Sequence, residues 1–257
     1  MTSQDTESGI RSTDDDEGQS WWATTWPLER SDWLRLAIAF VAFVAVGVVV
    51  GEVLTNWSPL SEVVEFDQEL AEDVADGRTP LKDDLAHWGA FIADTPVKIA
   101  ISVVVAGFLL WRLRRWREAV LIGLPLIFEA GAYITTSYIV GRPRPDVERL
   151  LESPVATSFP SGHVAAAAVY GALGFVVLWH TRNVGARVLA VIVIVAAPLI
   201  VAWARVYQGM HFFSDVVAGI VLGFASVAVC RYIVGAPRDA EDVLYDDRDD
   251  APVEGVA

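Results

Sequence analysis

The chain has 257 residues, 54% of them hydrophobic and 20% charged, with a mean hydropathy of +0.42. A soluble domain of this length carries more charge, so the composition predicts one compact membrane domain. The formal charge of -14 argues against nucleic acid, and the single cysteine, Cys230, rules out an internal disulfide or a cysteine-built metal site.

Residues 1–30 open the chain with six acids in the first 20 and too few apolar residues to offset the entropy of ordering. They read as a disordered tail without the basic and apolar regions of a signal peptide. Residues 237–257 read the same way, with eight acids from 239 onward. Such runs solvate chain ends and identify no protein partner. The basic residues are 17 Arg against two Lys, Lys82 and Lys98. Heavy acidity suits a halophile, because at about 1 M salt the Debye length is only about 3 Å. A GC-rich genome accounts equally well for the arginine excess.

Between the tails, in residues 31–236, apolar runs recur at 34–57, 95–111, 119–141, 160–180, 188–206 and 213–230. They predict an all-α bundle of six transmembrane helices. Their charge-free cores fall short of the roughly 20 residues needed to cross about 30 Å of hydrocarbon, so flanking polar residues are expected at the interface or in a cleft. Basic residues cluster at Arg30 and Arg35, at Arg112, Arg114, Arg115 and Arg117, at Arg182 and Arg187, and at Arg231. The positive-inside rule puts all four sets, and both termini, in the cytoplasm. Trp33, Trp111, Trp116 and Trp179 then mark the inner interface, and Trp57 and Trp203 the outer one. The loops left outside are 58–94, 142–159 and 207–212.

In the first of these loops Val63, Val64, Phe66, Leu70 and Val74 share one face with acids opposite, predicting an amphipathic helix packed along the membrane surface. Gly77 and Pro80 end it before a second segment that runs through Trp88. His87 reads as interfacial filler. Glu129, inside span three, is expected to hydrogen-bond a neighbouring helix about 15 Å below the outer surface.

The other two outer loops hold the polar chemistry. Arg142-Pro-Arg144-Pro follows span three, and two arginines in a stiff segment can present guanidinium forks to a phosphate. Span four opens with Ser158-Phe-Pro-Ser161-Gly162-His163. Ser158 suits an N-cap and Pro160 a first helical turn, which leaves the amides around Ser161, Gly162 and His163 as an anion cradle. Gly162 admits close approach of a ligand. Arg205 ends span five. His211 and Asp215, at i and i+4, open span six on one helix face, where the carboxylate can hydrogen-bond one ring nitrogen and leave the other as a lone pair. Two arginines, two histidines and a carboxylate are costly at a membrane surface unless they function. These residues do not by themselves say which histidine attacks.

Arg144-Pro145, Pro160-Ser161-Gly162-His163 and Arg205-x5-His211-x3-Asp215, in that order, resemble the three signature motifs of the type-2 phosphatidic acid phosphatase and vanadium haloperoxidase superfamily. The match covers about 72 residues directly, and the six-span layout extends it. Two positions depart from the family pattern. Its first motif begins with a lysine seven residues before the Arg-Pro, where this chain has Ser137; counted from Arg142, the position is Thr135. Its third motif usually begins with serine, here Ala204. The first departure removes one cationic phosphate donor, for which Arg142 is a candidate substitute.

The resemblance implies hydrolysis of a lipid phosphate monoester or polyprenyl diphosphate through a phosphohistidine, with no metal or other cofactor. His211 is the implied nucleophile, Asp215 its orienting group and His163 the general acid and base. Arg144, Arg205, Ser161 and Gly162, with Arg142 and Ser137 as further candidates, hold the phosphoryl oxygens. The implied partners are a lipid substrate and the bilayer. Two rival readings are a vanadate-dependent oxidase, whose members are mainly soluble, and a lipid-phosphate binder or transporter without turnover.

Overall fold

The computed structural model describes residues 26–57, 61–113, 116–152 and 156–235. Most of both acidic tails, and Arg114 and Arg115 of the inner basic cluster, lie outside the described residues. Helices α1 (Arg30–Asn56), α2 (Ser61–Asp76), α3 (Pro80–Phe91), α4 (Thr95–Leu113) and α5 (Trp116–Val140) make up the first half. Helices α6 (Gly162–Val169), α7 (Gly171–His180), α8 (Val184–Tyr207) and α9 (Phe213–Val234) complete it, and no strand occurs among the described residues. Six segments are long and apolar enough to cross a membrane: α1, α4, α5, α6 with α7, α8 and α9. They match the six predicted spans.

Span four is not one helix. It breaks at Tyr170, whose hydroxyl donates to the Ile92 carbonyl at 2.5 Å and ties the break to the α3–α4 corner. Nor is Ser158 its N-cap. Ser161 takes that position, and Pro160 precedes the helix.

The short helix α6 is the axis of the bundle. Val164 to Val169 are all buried, so α6 is enclosed on every side, chiefly by α5, α8 and α9. Its run Ala165–Ala168 meets Gly219 and Gly223 of α9, a small-xxx-small stripe of the kind that lets membrane helices approach backbone to backbone. A Cβ on Gly223 would sit 2.3 Å from the Ala165 carbonyl oxygen, and one on Gly219 2.6 Å from that of Ser161. Helix α1 flanks α5 and α9, with Phe40 and Phe43 edge-on to Phe128.

The surface helix α2 exists as predicted, but only the C-terminal part of its apolar face packs. Val74 sits against the core and Leu70 is half-buried, Val63, Val64 and Phe66 are exposed, and Asp67 and Ala71 are buried. In the first half of the helix the polar network described below sets the buried side. Glu129 also departs from expectation. It is fully buried, and its carboxyl oxygens have no hydrogen-bond partner among the described residues.

The α6–α9 contact makes a clear prediction. Gly223→Val should destabilise the protein by at least the roughly 1–3 kcal/mol of an overpacked core, read as a lower melting transition in detergent. Gly107→Ala on α4, where a Cβ meets nothing within 4 Å, should stay within about 1 kcal/mol of the parent.

Candidate active site

Four structural pieces meet at one end of the bundle. Gly141, at φ +63°, turns the chain out of α5, and residues 142–152 cross over the 207–212 turn. Three contacts dock this crossing: Leu150 N–H to the Gln208 carbonyl (3.1 Å), Arg144 Nη1 to the Met210 carbonyl (2.6 Å), and Arg78, which donates to the carbonyls of Glu148 and Tyr207. The chain then returns along itself, with Ser158 N–H on the Arg142 carbonyl and Ser158 Oγ on that of Pro143. Thus the three motifs, dispersed in sequence, are fastened by hydrogen bonds to backbone carbonyls.

His211 is 4% exposed, and its Nδ1 lies 2.6 Å from the Ser158 carbonyl oxygen. A carbonyl only accepts, so Nδ1 carries the proton and Nε2 is left with the lone pair whenever the ring is neutral. Burial, followed by the positive charges of Arg205 and Arg144, holds the His211 pKa well below the usual 6.5. The ring is therefore neutral at pH 7. Asp215 does not orient it by the expected hydrogen bond: its Oδ2 is 3.9 Å from Nδ1. The backbone of Ser158 has taken that role. Asp215 instead accepts from Phe212 N–H (2.9 Å) and from Arg142 Nη1 (2.6 Å).

His163, in the first turn of α6, is held by a residue that sequence reasoning missed. Asp94 Oδ1 lies 3.0 Å from His163 Nε2, which leaves Nδ1 as the unengaged ring nitrogen. Asp94 sits at the corner between α3 and α4, and its own carbonyl accepts Lys98 N–H. The available signal was an acid directly before the outer end of span two, where charge is expensive.

Of the phosphate-binding candidates, Arg144 and Arg205 come close enough to repel one another, and both act electrostatically on His211. Arg205 Nη1 is fixed on Gln208 Oε1 at 3.0 Å, and Gln208 in turn donates to the Ala86 carbonyl. Arg205 Nε and Ser161 Oγ are buried without a hydrogen-bond partner among the described residues. The Ser161 amide is not part of a cradle, because it donates to the Asp215 carbonyl at 3.1 Å. The first-turn amides of Gly162 and His163 have no intrahelical acceptor. A Cβ on Gly162 would lie 2.8–2.9 Å from the Tyr133 ring, so the missing side chain admits Tyr133, which walls the site.

Arg142 and Ser137 do not serve as expected. Arg142 is 2% exposed, and its guanidinium is committed to Asp67, Ser214 and Asp215. Ser137 Oγ is paired with Thr157 Oγ1 at 2.6 Å. Neither substitutes for the absent lysine.

Residues 119–239 match the model of the PAP2 superfamily. The chain is 29% identical over 148 residues to "Putative undecaprenyl-diphosphatase YbjG" of Escherichia coli (strain K12), a match covering 54% of this chain and 71% of that one. The fold resembles that of the first transmembrane PAP2 type phosphatidylglycerolphosphate phosphatase from Bacillus subtilis, with TM-score 0.62 and 19% identity over 86% of this chain and 98% of that one. It also resembles Aquifex aeolicus LpxE, with TM-score 0.50 and 24% identity over 64% and 93% of the two chains.

The state of His211 can be checked directly. In spectra of protein labelled at the histidine ring nitrogens, the resonances lost in His211→Asn should show the Nδ1–H tautomer. They should remain those of a neutral ring as pH falls through 6.5, because a lowered pKa extends the neutral form to more acidic pH. A titration centred at or above 6.5 would overturn this electrostatic account.

Proposed function

We propose that the protein is an integral-membrane lipid phosphatase, hydrolysing a lipid phosphate monoester or a polyprenyl diphosphate through a phosphohistidine. The observation that carries this reading is the pairing of one lone pair with unsatisfied donors. His211 Nε2 is free to attack, while Ser161 Oγ and Arg205 Nε are buried with nothing to bond. A phosphoryl group between them would satisfy both.

In this mechanism His211 Nε2 attacks phosphorus and the P–O bond to the lipid breaks. Arg144, Arg205, Ser161 Oγ and the amides of Gly162 and His163 hold the phosphoryl oxygens as charge spreads over them. Ser158 and Asp215 stabilise the imidazolium that forms. His163 Nδ1 gives a proton to the leaving oxygen, then takes one from the water that cleaves the P–N bond. Asp94 stabilises the cationic form of His163, present before the first of these steps and again after the second. The donors of this site are all supplied by the chain, so the reading invokes no metal.

A lipid substrate is supported by the site's position at the end of a six-span bundle and by the relatives' names. An apolar cavity of about 850 Å³ between α1, α2, α5 and α9 reaches Phe159 and Pro160 at the site's edge, offering room for hydrocarbon. The positive-inside rule supports an extracytoplasmic site with both termini in the cytoplasm. Arg112, Arg117, Arg182, Arg187 and Arg231 lie at the opposite end of the helices from His211.

The test is phosphate release by detergent-solubilised protein from phosphatidate and from a polyprenyl diphosphate, at low and molar salt, with EDTA. Release should survive EDTA and fall by at least about 10³-fold in His211→Ala. His163→Ala should lose about 10²–10⁴-fold. Folded protein that retains lipid but releases no phosphate in any salt would favour the binder instead.

A second comparison isolates Asp94. Asp94→Asn should lower kcat about tenfold in the parent and add no further loss to His163→Ala, measured as a double-mutant cycle. A full additional loss in the double variant would detach Asp94 from His163.

A further inference from the structure

Asp67 is out of character with its helix. It lies in the middle of α2, a polar surface helix, yet is 1% exposed while Val63, Val64 and Phe66 just before it are exposed. Burying a carboxylate is costly unless it is paired and fully hydrogen-bonded. Here both oxygens are used. Oδ1 accepts the Ser214 backbone N–H at 3.1 Å; Oδ2 accepts Arg142 Nη2 at 3.0 Å and a short bond from Ser214 Oγ.

The chain of contacts runs on from there to the nucleophile. Arg142 stacks its guanidinium 4.4 Å over the Phe212 ring, gives Nη1 to Ser214 Oγ at 2.7 Å and to Asp215 Oδ1 at 2.6 Å, and so bridges the two carboxylates. Asp215 Oδ2 lies 3.9 Å from His211 Nδ1. Two carboxylates share one guanidinium in a buried cluster, which leaves one net negative charge beside the ring. While His211 is neutral that charge does little. It matters once Nε2 bonds phosphorus and the ring becomes cationic, because a negative field in a poorly screened site then stabilises the intermediate. Without the Asp67 charge, Arg142 would pair with Asp215 alone, the cluster would be neutral, and Ser214 would lose its anchor.

We propose that Asp67 is a positioning residue for the reaction, acting on His211 through Arg142, Ser214 and Asp215, and that α2 is thereby part of the catalytic apparatus and not only a cover. This inference rests on the phosphohistidine reading above. It assigns Arg142 to the nucleophile's support and not to the phosphate.

The experiment compares parent, Asp67→Asn and Glu69→Gln on dioctanoyl phosphatidate, with thermal melting of each in the same detergent. Asparagine keeps the size and much of the hydrogen bonding of Asp67 and removes its charge. Asp67→Asn should lower kcat tenfold or more and leave KM within threefold, since the phosphate contacts are untouched. Its melting transition should stay close to the parent's. The phosphoenzyme fraction trapped by alkaline quench during turnover should fall, because the cationic intermediate has lost its field. Glu69→Gln, on the exposed side of the same helix, should match the parent.

If Asp67→Asn does not yield folded protein, Arg142→Lys takes its place. A single ammonium cannot bridge both carboxylates as the fork does, so the same kcat-selective loss is expected. A parental kcat in whichever variant folds, a loss confined to KM, or a loss matching the drop in folded fraction would overturn the inference and leave the phosphatase reading standing. Parent protein that turns over no lipid would sink both, and would be seen before any variant is compared.

Discussion

Everything at this site depends on how closely α6 and α9 approach. With no side chain at Gly219 and Gly223, the two backbones touch, and the N-termini of both helices arrive side by side. The Ser161 N–H then donates across the gap to the Asp215 carbonyl. That single cross-helix bond sets the segment before α6 against the segment before α9. His211 comes into reach of the Ser158 carbonyl as a result, and this contact fixes its tautomer. The chemistry of the imidazole is thus set by helix packing several residues away. A bilayer makes such packing decisive, because helices in lipid associate through close contact and not through hydrophobic burial.

Charge is the second constraint, and it is divided by depth. Arg205 keeps a buried Nε without a hydrogen-bond partner among the described residues, and Arg144 lies close enough to repel it; Arg142, two residues from Arg144, is instead buried in a cluster with Asp67 and Asp215. Residues i and i+2 of a regular extended chain share one face, so the segment departs from strand geometry around Pro143, and the two arginines find different partners: Arg142 the buried carboxylates, Arg144 the Met210 carbonyl.

This division explains what was legible in the sequence. The spans, the order of motifs, and the positions of His163, Arg144, Arg205 and His211 at one end of the bundle were readable because each depends on local pattern or on position at a helix end. The contacts of Arg142, Asp94 and Asp67 were not, because each has its partner far along the chain: 75 residues separate Arg142 from Asp67, and 69 separate His163 from Asp94. The exposure of Val63, Val64 and Phe66 on α2 has a related origin. An apolar stripe at helical spacing signals burial in water, but beside lipid the apolar face has little to gain from the protein and a paired carboxylate has much. The orienting bond to His211 escaped for a different reason, since a backbone carbonyl leaves no residue-type signature.

The absent lysine can be weighed on the same electrostatic terms. Under the phosphohistidine reading, cations near the site pull in two directions. They attract the phosphoryl oxygens, yet they oppose the positive charge that His211 must acquire, and burial, with Arg205 and Arg144, already lowers the ring's pKa. A third cation in place of Ser137 would strengthen the first effect and worsen the second. With Ser137 tied to Thr157, the chain keeps two guanidiniums and the α6 amides for the phosphate, and sets Asp215, with its net share of charge, against their field. The expense of losing the lysine then falls mainly on binding, whereas the charge balance at the nucleophile shifts toward the covalent step.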